Sequence, residues 1–479
     1  MVESYNIYRL YAKNHISEGL VMYQIDFNKP IHVYFCGIGG ISMSGLAEIL
    51  KSRDFAISGS DMKESEITEG LRAKGMTVYI GHRATNVGDD IDLFVYTAAI
   101  HEDNPEWTAA TDKNIPKLSR AELLGEIMRN FSLPIAISGT HGKTTTTSMI
   151  SEALLSADLD PTITVGGILP SIGGNIRVGH SDFFVTEACE YTNSFLSFFP
   201  KVAIILNIEE DHMDFFKDID DIRASFTKFS ALLPKDGALI INGEIENVDK
   251  ITEGLDCSVY TYGIGEDYDY CASEVSLDKN GYGSYTLHSP KGEAKVTLKV
   301  PGMHNVSNSL AAICCMDVCN VPREQTLAAL SGFSGVDRRY QYKGDLAGVT
   351  VIDDYAHHPT EIRSTLTTAK ATEHKKLWVV FQPHTYTRTK AFLDDFAKAL
   401  SVADEVVLAD IYAAREKNTI GISSKDLMDK VKALGTDCHY FPTFDEIENF
   451  LLENVSPGDL LITMGAGDIV KVGESLLGI

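Results

Sequence analysis

The sequence predicts an α/β fold in three units, and three observations carry that prediction. Strand and helix signals alternate from residue 31 onward. A glycine-rich turn joins an apolar strand to a helix at two places, CGIGGISMSG (36–45) and SGTHGKTTTT (138–147). The chain has 479 residues and is 44% hydrophobic, more than one compact core usually organises.

The elements follow in order. IHVYFCG (31–37) is apolar and rich in β-formers; SMSGLAEILKS has helical spacing, and FAISGSD, TVYIG and DLFVYTAAI are further strands. This βαβ rhythm predicts a parallel sheet. Helix RAELLGEIMRN (120–130) leads to a second unit that opens on the strand PIAISG and continues through DFFVTEA, KVAIILNIE and a helix near 219–232. From 257 to 300 the pattern becomes short alternating strands with a turn at Asn280-Gly281, which predicts an antiparallel segment. A helix around 304–319 closes that unit. The third unit starts near Gly335, with strands VTVIDDY, KLWVVFQP, EVVLADIY and DLLITMGAG and helices EIRSTLTTAK and TKAFLDDFAKAL. The expected boundaries are 22–132, 133–334 and 335–479.

Forty-two Lys and Arg against 67 Asp and Glu give a formal charge of -25, spread along the chain. That excludes a basic nucleic-acid surface and points to small-molecule partners, with anions held by local basic groups and helix N-termini. The eight cysteines form no CxxC pair, and Cys314, Cys315 and Cys319 lie in an apolar helical stretch as expected of buried thiols. No apolar run approaches a membrane span and no signal-peptide core is visible, so a cytoplasmic protein without a membrane partner is expected. Residues 1–21 carry no clear pattern, and Met22 is a candidate start.

In SGTHGKTTTT, Gly139, Thr140, His141 and Gly142 form a turn whose backbone N–H groups face the start of a helix, where a phosphate is favoured. Lys143 would neutralise β- and γ-phosphates, Thr144 would ligate Mg²⁺, and Thr145 follows in the first turn. An ordinary strand-to-helix turn is the alternative, although four consecutive β-branched threonines open a helix poorly. Gly37, Gly39 and Gly40 form a second candidate pyrophosphate loop, with Asp61 placed to read a ribose; a tight packing turn is its rival. Acidic residues follow two strands: Glu187 and Glu190 in TEACEYTNS, and Glu209 to Asp211 in NIEEDHMD, which ends on His212. A carboxylate with an imidazole there would hold a metal; solvated surface charge is the alternative. In PGMHNVSNSLAA, His304 and Asn308 share a helical face beside Asn305, suited either to reading an adenine edge or to capping. The third unit offers Arg338 and Arg339 in DRRY, then Tyr355 and His357, then Arg388. Arginines of this kind clamp a phosphate or a carboxylate, and Arg338 is assigned to the ATP phosphates.

Taken in order, GIGGISMSG, SGTHGKTTTT, NIEEDHMD, GMHNVSNSLAA, DDYAHHPTE, QPHTYTRT and MGAGDI resemble the Mur ligases, the ATP-dependent amide-forming enzymes of peptidoglycan synthesis, over residues 23–479. The resemblance implies a Rossmann-like N-terminal domain for the UDP moiety, a central P-loop-type ATPase domain with a small antiparallel sheet, and a Rossmann-like C-terminal domain for the amino acid. It implies ATP and Mg²⁺, with Lys143, Glu187 and His212 as catalytic positions and Thr144, Glu187 and His212 at the metal. His304, Asn305 and Asn308 match the adenine region, Gly37, Gly39 and Gly40 the UDP pyrophosphate, and Tyr355, His357 and Arg388 the amino-acid site. GIGGISMSG points to addition of L-alanine to UDP-N-acetylmuramate through an acyl phosphate. Another amino acid or a peptide is the alternative within the family; outside it stand a nicotinamide-dependent dehydrogenase and a nucleotide-sensing module. Three bound substrates on three domains imply closure, with joints near 131–133 and 332–335.

Overall fold

A computed structural model describes residues 23–479 apart from 266 and 415. Residues 1–22, with the candidate start at Met22, lie outside the described residues. The chain divides into two compact units that meet at Phe131 and Ser132.

The first unit carries a five-stranded sheet of β1 (His32–Cys36), β2 (Ala56–Asp61), β3 (Thr77–Ile80), β4 (Leu93–Tyr96) and β5 (Lys117–Ser119), in the order β3-β2-β1-β4-β5. Every pairing is parallel. The strand order reverses beside β1, and in such sheets ligands bind at the carboxyl ends next to the reversal. Val33, Tyr34, Phe35 and Cys36 are all fully buried, which is why this strand reads as a continuous apolar run and not as an alternation.

In the second unit, β6 (Leu133–Ser138) lies inside a ten-stranded sheet, between β9 (Phe183–Glu187) and β10 (Val202–Ile205). The register sets Ile135 against Val202 and Ile137 against Ile204, and these side chains are buried. Each such isoleucine contributes roughly 1.5–3 kcal/mol by leaving water. Beyond β10 come β11 (Ala238–Asn242) and β12 (Ser258–Ile264), and the outer edge is β13 (Tyr270–Leu277), β14 (Tyr282–His288) and β15 (Ala294–Pro301). The antiparallel segment expected from 257 begins later than its alternation suggests. β12 pairs in parallel with both β11 and β13, and within this segment the antiparallel pairings are β13 with β14 and β14 with β15. These strands extend the large sheet and do not form one of their own. Gly281 takes the left-handed conformation at the turn between β13 and β14 (φ 78°), as the Asn-Gly pair anticipates.

The same unit contains a six-stranded sheet of β16 (Gln341–Leu346), β17 (Val349–Asp354), β18 (Leu377–Phe381), β19 (Glu405–Leu408), β20 (Asp437–Tyr440) and β21 (Leu460–Met464), in the order β16-β17-β21-β18-β19-β20. It is parallel except for the β16/β17 edge hairpin. Residues 132–479 form one compact unit, so the joint expected at 332–335 separates no bodies in this structure. Cys314 and Cys315 are fully buried among Met149, Ile150 and Leu310, and Cys319 is partly buried. No helix among the described residues is long and apolar enough to cross a membrane.

Candidate active site

The turn after β6 is built by sterics. Gly139 (φ 138°) and Gly142 (φ 84°) take left-handed backbone conformations, and a Cβ at Gly142 would come within 2.7 Å of Asn308 Oδ1. Asn207, just past β10, pins the loop from below: its Oδ1 accepts from His141 N–H at 2.7 Å, and its Nδ2 donates to the His141 carbonyl at 3.1 Å. Helix Lys143–Ser156 then starts with no side-chain cap, which leaves first-turn N–H groups available to an anion. The threonine run survives as a helix opening because Thr146 and Thr147 are wholly buried and Thr144 nearly so. Tertiary packing overrides their low propensity.

Lys143 curls back over this turn. Its Nζ donates to the carbonyls of Gly139 and Thr140 and pairs with Glu190 at 3.0 Å, the carboxylate itself being buried. Burial pulls the ammonium pKa down, but Glu190 outweighs it and holds the group charged, above the usual lysine value.

A cavity of about 400 Å³ opens beside the loop. Thr140, His141, Gly142, Lys143, Thr144, Thr145, Glu187, His212, His304, Asn305, Asn308 and His357 all line it. Asn305 donates to the Pro301 carbonyl (2.7 Å) and accepts from Asn308 (3.1 Å), so these side chains are fixed before any ligand arrives. His304 bonds Ser364 at 2.7 Å across the open side of the cavity. Burial brings His357 to about 4 and lowers His212, so both imidazoles offer a lone pair at neutral pH.

Several expected residues are tied to protein partners. Gly139 contributes a carbonyl to Lys143, not cavity wall. Glu187 caps the Gly166 N–H at 2.5 Å, and His212 Nε2 lies 3.8 Å from Glu190. Glu187 and His212 belong to no group of three metal-capable His, Cys, Asp or Glu side chains within 4.8 Å of one another among the described residues. Arg388 pairs with Asp211 at 2.8 Å and holds that carboxyl well below the usual range against the opposing pull of burial. Tyr355 lies under both arginines, with Arg338 and Arg339 carbons 4.9 and 5.0 Å from its ring centre.

The expectation that Arg338 faces the ATP phosphates is corrected. A left-handed backbone at Arg338 (φ 61°) turns it into the C-terminal sheet, where it pairs with buried Asp353 at 3.0 Å and donates to the carbonyls of Gly465 and Gly467. Its neighbour Arg339 lines the cavity instead, 3.4 Å from Thr144 Oγ1. In the first unit, Asp61 Oδ2 accepts from the Gly39 N–H at 2.9 Å and lies 2.8 Å from where a Gly39 Cβ would be, so it braces the Gly37–Gly40 loop.

The sequence reading passed over Glu361, which faces the phosphate loop from helix Pro359–Lys370. His141 Nδ1 lies 3.1 Å from Glu361 and Nε2 3.6 Å from Glu209. Thr360 donates to Glu209 at 2.6 Å. Burial disfavours an imidazolium here, but Glu361 and Glu209 outweigh it and raise His141 from its ordinary 6.5 to about 9. A raised value means that these contacts are at full strength below about pH 6.5 and lost as pH rises through about 9. Backbone hydrogen exchange at 139–145 and 359–365, corrected for intrinsic rate, should therefore rise across that window. His141→Gln should remove the step.

Comparison with known proteins places this geometry. The Mur ligase family catalytic domain matches residues 32–132, the Mur ligase middle domain residues 137–316, and the Mur ligase glutamate ligase domain residues 338–467. The chain belongs to the Mur ligase family. More particularly, it is 59% identical over 459 residues to the UDP-N-acetylmuramate--L-alanine ligase of Agathobacter rectalis, covering 95% of this chain and 100% of that one. The enzyme of the same name from Lachnoclostridium phytofermentans is 53% identical over 467 residues, covering 95% and 100%. Among solved structures, the UDP-N-acetylmuramate-alanine ligase of Thermotoga maritima aligns with a TM-score of 0.77 at 31% identity, over 94% of this chain and 98% of that one. A murein peptide ligase from Psychrobacter arcticus aligns at 0.68 and 25%, with the same coverage.

Proposed function

We propose that this protein joins L-alanine to the carboxylate of UDP-N-acetylmuramate at the expense of ATP, releasing ADP and phosphate, in cytoplasmic peptidoglycan synthesis. The observation that carries the reading is charged Lys143, paired with buried Glu190 at the first turn of an uncapped helix N-terminus and lining a cavity.

A carboxylate resists an amine, so it must first be activated. One carboxylate oxygen attacks the γ-phosphorus and the bond to the β-phosphate oxygen breaks, giving ADP and an acyl phosphate. The alanine amine then attacks the carbonyl carbon, the C–O bond to phosphate breaks, and the amine proton is lost to solvent. Lys143 and the loop N–H groups bind the phosphates and balance charge as it moves. Arg339, rather than Arg338, is the arginine positioned to join them. His304, Asn305 and Asn308 form the adenine side.

The candidate donors for a Mg²⁺ ion are Thr144, Glu187 and His212, a hydroxyl, a carboxylate and a neutral imidazole that all line the cavity. Bound there, the ion would screen charge between the phosphate and the acceptor. Arg388 and His357 are the side chains for the amino-acid carboxylate. Arg388 then exchanges Asp211 for substrate. Residues 22–132, with the Gly37, Gly39, Gly40 and Asp61 loop, hold the UDP moiety; residues 133–334 hold ATP and 335–479 the amino acid.

The test is ADP formation with UDP-N-acetylmuramate present and amino acids supplied one at a time. L-alanine should give the highest kcat/KM. Glycine and L-serine should follow within roughly 10- to 200-fold, because a small pocket discriminates weakly. ADP release that ignores the UDP-sugar would end this reading.

A further inference from the structure

A second cluster lies wholly in the first unit, and the ligase chemistry makes no use of it. Cys36 ends β1, Ser60 lies near the end of β2, His82 follows β3, and Glu106 opens helix Pro105–Asp112 after β4. Four donors and the His82 imidazole converge on the Glu106 carboxylate, which is fully buried. Arg83 N–H (3.1 Å) and Asn86 Nδ2 (2.7 Å) take Oε1. Ser60 Oγ (2.5 Å), Cys36 Sγ (3.1 Å) and His82 Nδ1 (3.1 Å) all crowd Oε2, an oxygen with two lone pairs. Burial opposes the charge on Glu106, but these hydrogen bonds outweigh it and keep the carboxyl ionised. Among the described residues no Lys or Arg side chain pairs with it, and its one ion-pair partner is His82. A buried carboxylate without a permanent cation is costly.

We propose that Cys36 Sγ, His82 Nδ1 and Glu106 Oε2 form a site for a borderline-soft divalent cation, zinc by preference, with Ser60 or a water completing a tetrahedron. The three atoms stand 3.7 Å (sulfur to nitrogen), 3.1 Å (sulfur to oxygen) and 3.1 Å (nitrogen to oxygen) apart. A tetrahedron with Zn–S of about 2.3 Å and Zn–N or Zn–O of about 2.0 Å sets its ligand atoms roughly 3.3–3.6 Å apart, so an ion enters with small shifts. Thiolate with imidazole selects zinc over Mg²⁺. The thiol proton leaves when the metal binds, and Asn86 and the Arg83 amide then orient the carboxylate from behind. His82, 10% exposed, is the way in. The site lies directly under the Gly37 turn, because Ser60 O accepts the Gly37 and Ile38 N–H groups at 2.8 and 2.9 Å.

Cobalt reads the thiolate ligand directly. Titrating the metal-stripped full chain with Co²⁺ should give one high-affinity ion per chain and a near-ultraviolet sulfur-to-cobalt charge-transfer band, both displaced by one equivalent of Zn²⁺. Cys36→Ala should abolish the band. His82→Asn keeps a hydrogen bond to Glu106 but donates poorly to metal, and should weaken binding by about 10- to 100-fold or more. It carries the test alone if the cysteine variant fails to fold. The histidine cluster at His141, Glu209 and His358 contains no sulfur and cannot produce the band. No band in the wild-type chain, a band that persists in Cys36→Ala, or unchanged affinity in His82→Asn would overturn the site.

Discussion

Lys143→Met should lower kcat by about 10³-fold or more while the chain still folds. Among the described residues, the Lys143 side chain is the ammonium seated on the phosphate turn, where it already donates to two loop carbonyls and faces Glu190. A phosphate entering the cavity takes over part of that coordination, and the charge it develops during transfer has Lys143 as its nearest compensation. Removing the ammonium also leaves Glu190 buried without its partner, so some loss of stability is expected. Rate and melting temperature therefore need to be read together. Lys143→Arg keeps the charge but not the compact geometry, and should recover the melting temperature more fully than the rate. A methionine variant that is folded and turns over within tenfold of wild type would remove Lys143 from the chemistry.

Neighbouring arginines should behave oppositely. Arg338→Ala should cost about 3–5 kcal/mol of stability, because it strands the fully buried Asp353 carboxylate and frees the carbonyls of Gly465 and Gly467. Arg339→Ala should cost little stability and about 10²-fold in kcat, since its guanidinium faces Thr144 and the cavity. Denaturant melts and steady-state kinetics on the two variants separate these outcomes. Matched losses of rate and stability in both would mean that the left-handed turn at Arg338 does not sort them.

That pair also shows where sequence reasoning runs out. The phosphate turn was legible because strand, glycine, Lys-Thr and helix occur in an order with one simple geometric solution, and β6 and the helix at Lys143 follow it. The DRRY stretch has no period, so nothing in it tells which arginine turns inward; one backbone angle decides. The same limit left Glu190 marked only as a metal-side carboxylate beside Glu187, Glu361 unmarked, and Asp211 only as one of an acidic run. Their partners, Lys143, His141 and Arg388, lie 47, 220 and 177 residues away. Antiparallel pairing was anticipated too early for a related reason: the two-residue alternation of β12 fits either direction of its neighbour. Asp61 read as a ribose ligand because its spacing after the glycines suits one, whereas its hydrogen bond to Gly39 assigns it at least a bracing task.

The most direct measurement follows an oxygen atom. UDP-N-acetylmuramate labelled with heavy oxygen in its carboxylate is turned over with ATP and L-alanine, and the phosphate and nucleotide products are weighed by mass spectrometry. Activation through an acyl phosphate predicts ADP as the nucleotide and one carboxylate oxygen carried into inorganic phosphate per amide formed. Label found in AMP, or amide formed with unlabelled phosphate, would contradict it.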